Sequence, residues 1–318
     1  MVLSWEIVSK YRPQLMLLSI LWVIAFHFTP PHLTFYNAFQ SIGCGGVDVF
    51  MFLSGFGLCY SYYKRDSVSL ISFYKRRLVK ILPIYFFCII TFGIIRGLDI
   101  SDILWQLTCL GFWIGKPSYD WYVPSILLLY FTFPFFVRLS KKFGIRTIAV
   151  LAPLIGLIPT FLFIYLGKGT WILFTARIPL FFMGCYAGWM LEQRKEIRWP
   201  WLIIALSVCA LIVELVFASR YDYESMHRMG FYYIPQMFIV PGACILMANL
   251  LDKIPSWILG PMKFLGSMTL EIYLVHMSMR FIYPESKYVL PILFAIALHY
   301  FVQYSMKYIR FKTNRYRN

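Results

Sequence analysis

Charged side chains are scarce in this sequence. Only 14% of the 318 residues are Asp, Glu, Lys or Arg, whereas 60% are hydrophobic, and the mean hydropathy is +0.68. Soluble globular domains carry about 25% charged residues, so this composition excludes an ordinary water-soluble protein. The sequence therefore predicts a chain that is solvated by lipid.

Acidic residues are especially few, with 14 Asp and Glu against 30 Lys and Arg. An excess of basic residues also occurs in nucleic-acid-binding proteins, but here these residues lie in short runs between apolar stretches. Such runs collect on the cytoplasmic side of membrane proteins. We interpret them as topology signals, and no nucleic-acid partner is predicted.

The sequence also lacks paired cysteine motifs. Its seven cysteines show no Cys-x-x-Cys spacing and lie mostly inside apolar segments, so neither a disulfide framework nor a zinc site is predicted. A cleavable leader is not predicted either, because Glu6, Lys10 and Arg12 precede the first apolar run and no small-residue cleavage site follows it. We expect the first span to be retained.

Apolar windows near the 20 residues that cross a ~30 Å hydrocarbon core recur along the chain. They predict an all-α, polytopic transmembrane bundle of about ten spans, with residues 1–318 forming a single membrane-embedded domain and no soluble domain. The predicted spans are 14–30, 43–62, 79–96, 122–138, 147–166, 171–191, 200–219, 232–250, 265–283 and 288–306.

Charge decides the sidedness of these spans. Ten crossings with both termini cytoplasmic place most Lys and Arg in inner segments. Counting the short apolar segment 104–115 as a crossing would put the cluster at 138–146 and the basic C-terminal tail outside, so we predict that it does not cross. The predicted location is the bacterial inner membrane, as a multi-pass protein.

Two ionisable residues are predicted near the outer ends of consecutive antiparallel spans. His27 lies near the end of the first span, and Asp48 lies about one turn into the second. Ionisable groups at membrane depth are costly and are candidates for function, and these two are predicted to meet. The alternative is that His27 is a packing histidine and that Asp48 is favoured by the helix dipole.

Other polar residues in the spans admit two interpretations. Glu271 and His276 are five residues apart on the ninth span and are candidates for chemistry or for interhelical hydrogen bonds. Arg177, near an outer helix end, either snorkels or lines a polar cavity for an extracytoplasmic substrate. Glu214 and His299 have no supporting polar neighbours in the sequence and are interpreted as structural.

A basic run, Phe73–Pro83, leads into the start of the third span and contains Arg76, Arg77 and Lys80. Positive-inside topology alone accounts for such a run. A cytoplasmic polyanion, such as the phosphates of coenzyme A, would use the same charges. Both interpretations remain open from the residues alone.

Five segments, in order from the first span to the ninth, resemble the integral-membrane acyltransferase family 3, whose members O-acylate cell-surface sugars and other extracytoplasmic acceptors. The resemblance covers nearly the whole chain. The segments are VIAFHF (23–28), GVDVFMFLSGF (46–56), FYKRRLVKILP (73–83), WYVPSILLLY (121–130) and GSMTLEIYLVH (266–276).

The resemblance implies an enzyme that moves an acetyl or related acyl group from acyl-CoA, a co-substrate bound from the cytoplasm, to a hydroxyl of a surface polysaccharide or its precursor. It implies His27 as general base, with Asp48 orienting it or stabilising its imidazolium. Arg76, Arg77 and Lys80 would bind the phosphates of coenzyme A. Trp121, Arg177, Glu271 and His276 are our predicted substrate-binding residues.

Two positions depart from the family pattern. Met16 stands where many members have an arginine eleven residues before the histidine, and Arg12 is one turn further back. Lys80 stands where a second arginine is common, which keeps the charge but loses the bidentate guanidinium. Two alternatives stay open: an exporter of polysaccharide precursors, which ten helices and a polar interior would also suit, and an inactive scaffold of the same fold, which Met16 favours.

Overall fold

The computed structural model describes residues 3–27, 38, 42–65, 69–116, 120–282 and 290–315. Within these ranges the chain forms helices and no strand, as the sequence predicts. The helices are α1 (Trp5–Lys10), α2 (Arg12–Phe26), α3 (Gly45–Tyr63), α4 (Leu70–Ile95), α5 (Ile100–Leu107), α6 (Tyr122–Phe143), α7 (Ile145–Tyr165), α8 (Gly169–Thr175), α9 (Ile178–Glu192), α10 (Pro200–Ala218), α11 (Tyr223–Arg228), α12 (Gln236–Leu251), α13 (Ser256–Ser267), α14 (Thr269–Ile282) and α15 (Leu290–Arg315).

Six helical segments in the described ranges are long and apolar enough to cross a membrane. A seventh span is formed if α13 and α14, which follow each other after a break at Met268, are counted as one broken crossing. Shorter apolar helices cover Arg12–Phe26, Gln236–Leu251 and Leu290–Ser305. Every predicted span overlaps one of these elements, while the count of ten and the sidedness of the termini remain predictions.

The short apolar segment 104–115, which we predict not to cross the membrane, contains the end of α5. This helix ends at Leu107 and is followed by turns. Eight helical residues extend about 12 Å, which is well short of the ~30 Å hydrocarbon core. Cys109 follows in a left-handed backbone conformation, φ 59°. The segment is therefore too short to be a transmembrane helix.

Helices α7 and α10 expose large apolar side chains over most of their length. Only 22% of the apolar window in α7, and 11% of that in α10, is buried within the protein. Ile158 is 66% exposed and Ile212 is 56% exposed. Apolar surface on this scale is stable in lipid and costly in water, so both helices have the character of lipid-facing spans.

The chain divides into two compact units, and the first comprises Met1–Leu70 and Leu128–Ser267. Its closest helix pair is α3 with α9, which meet through glycine. A side chain at Gly184 would collide with the carbonyl oxygen of Phe52, and one at Gly188 with that of Phe56. Small residues four apart allow two membrane helices to approach at backbone distance, and that spacing fixes the register of this pair.

Helix α2 packs in the same unit between α3 and α13. Gly46 of α3 lies on the carbonyl of Ser19, and Gly266 of α13 lies on the carbonyl of Pro13. Arg12, at the start of α2, donates from Nε to the carbonyl of Leu53 at 3.1 Å. Both helices next to α2 are therefore held at backbone contact.

The second unit comprises Ile71–Leu127 and Met268–Asn318. Within it, α4 contacts α5 through the hydroxyl of Tyr85, which donates to the carbonyl of Gln106 at 2.8 Å. The rings of Phe87 and Phe301 lie 5.4 Å apart and join α4 to α15. These contacts join α4 to α5 and α15 within the second unit.

Candidate active site

His27 lies at the carboxyl end of α2. Its backbone N–H donates to the carbonyls of Val23 and Ile24 at 3.3 and 3.1 Å. The imidazole is half-buried, with its centre 5.1 Å from the ring of Phe26. A partly exposed histidine at a helix end can be reached by a substrate and still be held in place.

The segment that enters α3 packs against this last part of α2 in antiparallel register. Gly43 faces Trp22 and Phe26, and Gly46 faces Ser19. Asp48 therefore lies nearer to Ser19, in the middle of α2, than to His27 at the carboxyl end of that helix. The predicted contact between His27 and Asp48 stays a prediction.

Asp48 forms an ion pair that the sequence did not reveal. Its Oδ2 lies 3.1 Å from Nη2 of Arg177, and the two side chains are 0% and 1% exposed. Arg177 stands just before α9 and also donates from Nη1 to the carbonyl of Leu173 at 2.7 Å. Burial of a charge costs several kcal/mol unless it is paired, so the two residues depend on each other.

An aromatic residue covers the guanidinium of this pair. The carbon Cζ of Arg177 lies 4.7 Å from the ring centre of Tyr233, a cation–π contact. The hydroxyl of Tyr233 is hydrogen-bonded to Nδ1 of His227 on α11. Arg177 thus connects Asp48 to a half-buried histidine on the segment between α10 and α12.

Burial lowers the pKa of His227 below its usual value, and the positive charges of Arg177 and Arg228 act in the same direction. Glu224 acts in the opposite direction. The direction of this hydrogen bond depends on the protonation of the ring: a bare Nδ1 accepts from the Tyr233 hydroxyl, whereas a protonated Nδ1 donates to its oxygen.

A second buried polar pair lies in the same unit. Gln236, the first residue of α12, donates from Nε2 to both carboxylate oxygens of Glu214 at 3.0 and 2.8 Å. Both side chains are 0% exposed. Glu214, interpreted from the sequence as structural, has its hydrogen-bond partner on the neighbouring helix.

The basic residues proposed for donor binding lie along one helix of the second unit. Arg76 and Lys80, four residues apart on α4, are exposed, and Arg77 between them is half-buried. Residues four apart on a helix share a face, so the cations of Arg76 and Lys80 can act on one ligand. The spacing suits a polyphosphate.

Trp121 stands directly before α6 and is half-buried, with its ring 6.4 Å from that of Tyr122. Asp120 precedes it, is 0% exposed, and accepts from the backbone N–H of Tyr122 and Val123. The hydroxyl of Tyr273 on α14 lies close enough to Asp120 to lower its pKa. Burial raises the pKa of Asp120 to about 7, against these hydrogen bonds.

Glu271 and His276 share α14 but have different surroundings. Oε1 of Glu271 lies 2.7 Å from Nδ1 of His299 on α15. Gln303, one turn along α15, contacts the other ring nitrogen of His299 at 2.8 Å. His276 is 0% exposed. Glu271 therefore makes an interhelical contact, the second of the two roles that its sequence position suggested.

Metal-binding constellations are not found in the described ranges, where no three His, Cys, Asp or Glu side chains group together. All seven cysteines are free thiols. Met16, at the position of the family arginine, packs half-buried against the core around Leu15. The guanidinium of Arg12 instead lies against Gly57 of α3.

Comparison with known families decides the identity of the fold. Residues 17–306 match a family model described as an acyltransferase domain. The chain belongs to this acyltransferase family. The resemblance inferred from the five segments is thereby confirmed, and every predicted site residue from His27 to His276 falls within the matched range.

One curated protein similar to this acyltransferase-family chain is Acyltransferase MdmB of Streptomyces mycarofaciens. The two are 28% identical over an alignment of 123 residues, and the match covers 33% of this chain. The chain thus matches 31% of that relative's length. No solved structure matches the chain.

Three residues of this acyltransferase-family site were missed in the sequence. His227 lies between two predicted spans and Tyr233 is the second residue of the span that follows, and nothing in the local pattern marks either residue. Gln236 opens an apolar helix, and its amide at the start of a span was the one available signal, since a buried polar group demands a partner.

Proposed function

We propose that this protein is a membrane-bound O-acyltransferase that moves an acetyl or related acyl group from acyl-CoA to a hydroxyl of a cell-surface polysaccharide or its precursor. The observation that carries the proposal is the acyltransferase-family match over residues 17–306. The half-buried histidine at the end of α2 supplies the base that such a reaction requires.

In the proposed reaction His27 takes the proton of the acceptor hydroxyl while the oxygen attacks the thioester carbonyl. The new bond joins carbon to oxygen, and the bond that breaks joins the acyl carbon to the sulfur of coenzyme A. The proton passes from the imidazolium to the departing thiolate, so the products are an ester and free coenzyme A. Imidazole can accept and donate a proton near neutral pH, which suits both transfers.

The donor site is proposed on α4. Exposed Arg76 and Lys80, with half-buried Arg77, would bind the phosphates of acyl-CoA on the predicted cytoplasmic side. Lys80 contributes a point charge and not a bidentate contact. Acyl-CoA is a co-substrate, and no permanently bound cofactor is proposed.

The residues proposed for acceptor binding are Trp121, Glu271 and His276 in the second unit and Arg177 in the first. Half-buried Trp121 has the flat apolar surface on which sugar rings stack. The other three are almost fully buried, and Arg177 is paired with Asp48. This favours an indirect role for Arg177 and Asp48, in which the pair holds the start of α3 in place.

The first test is binding of acetyl-CoA to the purified protein in detergent, measured by calorimetry. We expect saturable binding that is lost in an Arg76→Ala/Arg77→Ala variant. Lys141→Ala/Lys142→Ala is the matched control, because it removes the same charge from exposed positions at the end of α6. Equal losses in both variants would reduce the effect to general electrostatics.

The second test is acyl transfer by His27→Ala. We expect transfer to be abolished while membrane insertion and purified yield stay near wild type. Transfer at the wild-type rate would remove His27 from the mechanism. If neither acetyl-CoA nor succinyl-CoA binds, the exporter and scaffold alternatives move ahead.

A further inference from the structure

The Glu214–Gln236 pair lies beside the segment that leads into α3. The amide of Gln236 lies flat against Gly45, the first residue of that helix. A Cβ atom at Gly45 would lie 2.6 Å from Oε1 and 2.7 Å from Nε2 of this amide. No other residue type fits at position 45 without displacing Gln236.

The neighbouring residue, Cys44, also contacts the segment that leads into α12. Its Sγ approaches the carbonyl oxygen of Tyr232 at 3.9 Å, four residues before Gln236. The turn formed by Ile42–Cys44 therefore lies against the residues that lead into α12. The side chain of Gln236 therefore limits how closely this turn can approach α12.

The opposite side of the turn touches the end of α2. A Cβ atom at Gly43 would lie 2.6 Å from the carbonyl oxygen of Trp22 and 2.8 Å from Cβ of Phe26. Phe26 is the last residue of α2 and directly precedes His27. One short turn thus separates the Gln236 amide from the helix end that carries the proposed base.

Glu214 fixes the amide in this position. A glutamine side chain has three rotatable bonds, and a buried amide without partners would be both costly and mobile. Two contacts to the carboxylate of Glu214 hold it in one rotamer. Interiors packed this tightly transmit a displacement instead of absorbing it.

We propose that Gln236, held by Glu214, is a positioning residue that sets the location of His27 through the Ile42–Cys44 turn and the last turn of α2. The inference rests on the proposed function, in which His27 is the base. A shift of about 1 Å in a catalytic group can cost about 100-fold in rate. Gln236 itself makes no contact with substrate in this account.

The test variant is Glu214→Leu/Gln236→Leu, which removes both polar partners together and leaves no buried group unsatisfied. We expect kcat to fall by at least about tenfold with little change in KM for the acyl donor, because the base is displaced and the donor site is not. The single variant Glu214→Gln keeps a hydrogen-bonding partner for Gln236 and should retain most of the wild-type kcat.

Ser207→Ala is the matched control. The hydroxyl of Ser207 on α10 donates to the carbonyl of Ile239 on α12 at 2.6 Å, so it links the same two helices through a buried hydrogen bond. Ser207 lies against Gly242, six residues along α12 from Gln236. If Ser207→Ala lowers kcat as much as the double variant at equal thermal stability, the pair merely joins α10 to α12 and the proposal fails.

Gly45→Ala provides an independent test that leaves both polar residues intact. The added methyl group presses on the Gln236 amide and should reproduce the loss of kcat. Combining it with Gln236→Ser, which makes room for the methyl group, should cost less than the sum of the two changes. Strict additivity would contradict transmission through this contact.

The outcomes separate this inference from the proposed function. Acyl transfer by His27→Ala at the wild-type rate defeats the proposed base. Loss of transfer in His27→Ala, with wild-type kcat in Glu214→Leu/Gln236→Leu, keeps the base and defeats only the positioning role.

Discussion

Two ion pairs in the first unit have nearly opposite surroundings. Asp48 and Arg177 lie 3.1 Å apart with side chains 0% and 1% exposed. Lys10 and Asp252 lie closer, at 2.7 Å, but their side chains are 63% and 44% exposed. Tyr11 also donates to the same oxygen of Asp252, at 2.6 Å. Judged by distance alone, the exposed pair would be expected to contribute more to stability.

Burial reverses that ranking. Water solvates Lys10 or Asp252 if either loses its partner, so the exposed pair is replaceable. No water solvates Asp48 when Arg177 is removed, and the remaining charge is left in a medium of low dielectric constant. The cost of removing one partner is therefore set by the burial of the remaining charge, and the distance between the two partners does not indicate it.

The largest predicted effect comes from Arg177→Met, which leaves Asp48 buried and unpaired. We expect a loss of about 3–5 kcal/mol in the free energy of unfolding, the range for breaking one side of a buried pair. The measurement is SDS-induced unfolding in mixed micelles. A loss no larger than that caused by an exposed substitution would show that Asp48 is already solvated.

The double variant Asp48→Leu/Arg177→Met sharpens this prediction. Removing both charges leaves nothing to desolvate, so the loss should be well below that of Arg177→Met alone. An equal or larger loss would mean that the ion pair itself stabilises the protein.

The next effect is predicted for the Glu271–His299 pair of the second unit. His299→Leu removes the partner of Glu271, whose side chain is only 6% exposed. We expect a loss of about 1–3 kcal/mol in the free energy of unfolding, the cost of leaving a buried acceptor unsatisfied. Gln303→Ala, which removes an exposed neighbour of His299, is the control and should change little.

A smaller effect is predicted from pH at His227. The folded-state pKa of His227 is lowered by burial, so below the unfolded value of about 6.5 the unfolded chain binds more protons than the folded one. The free energy of unfolding should therefore fall as the pH decreases through 6.5. Comparing unfolding at pH 7.5 and 5.5 with His227→Gln, which should flatten the dependence, isolates this residue.

The smallest effect is predicted for Lys10→Met. The hydrogen bond from Lys10 lowers the pKa of Asp252, so the contact is lost as the pH falls through the carboxylate range. Because both groups face solvent, the free energy of unfolding should stay within error of wild type at neutral pH. A loss comparable to that of Arg177→Met would erase the contrast between the two pairs.

Much of the candidate site could be predicted because membrane depth makes polar residues conspicuous. Asp48, Glu271 and Arg177 stand out in apolar windows without any knowledge of the fold. Their partners could not be predicted. Arg177 is 129 positions from Asp48 and His299 is 28 from Glu271, and the rotation of each helix about its axis decides which residues meet.

The sequence by itself determined that the chain is helical, apolar enough to lie in a membrane, and a member of an acyltransferase family, because composition and local motifs carry that information. Only the tertiary structure decided that Asp48 pairs with Arg177 and that Gln236 lies on Gly45. Both contacts depend on the glycine-mediated approach of helices distant in the chain, and that approach is fixed by packing across the whole unit.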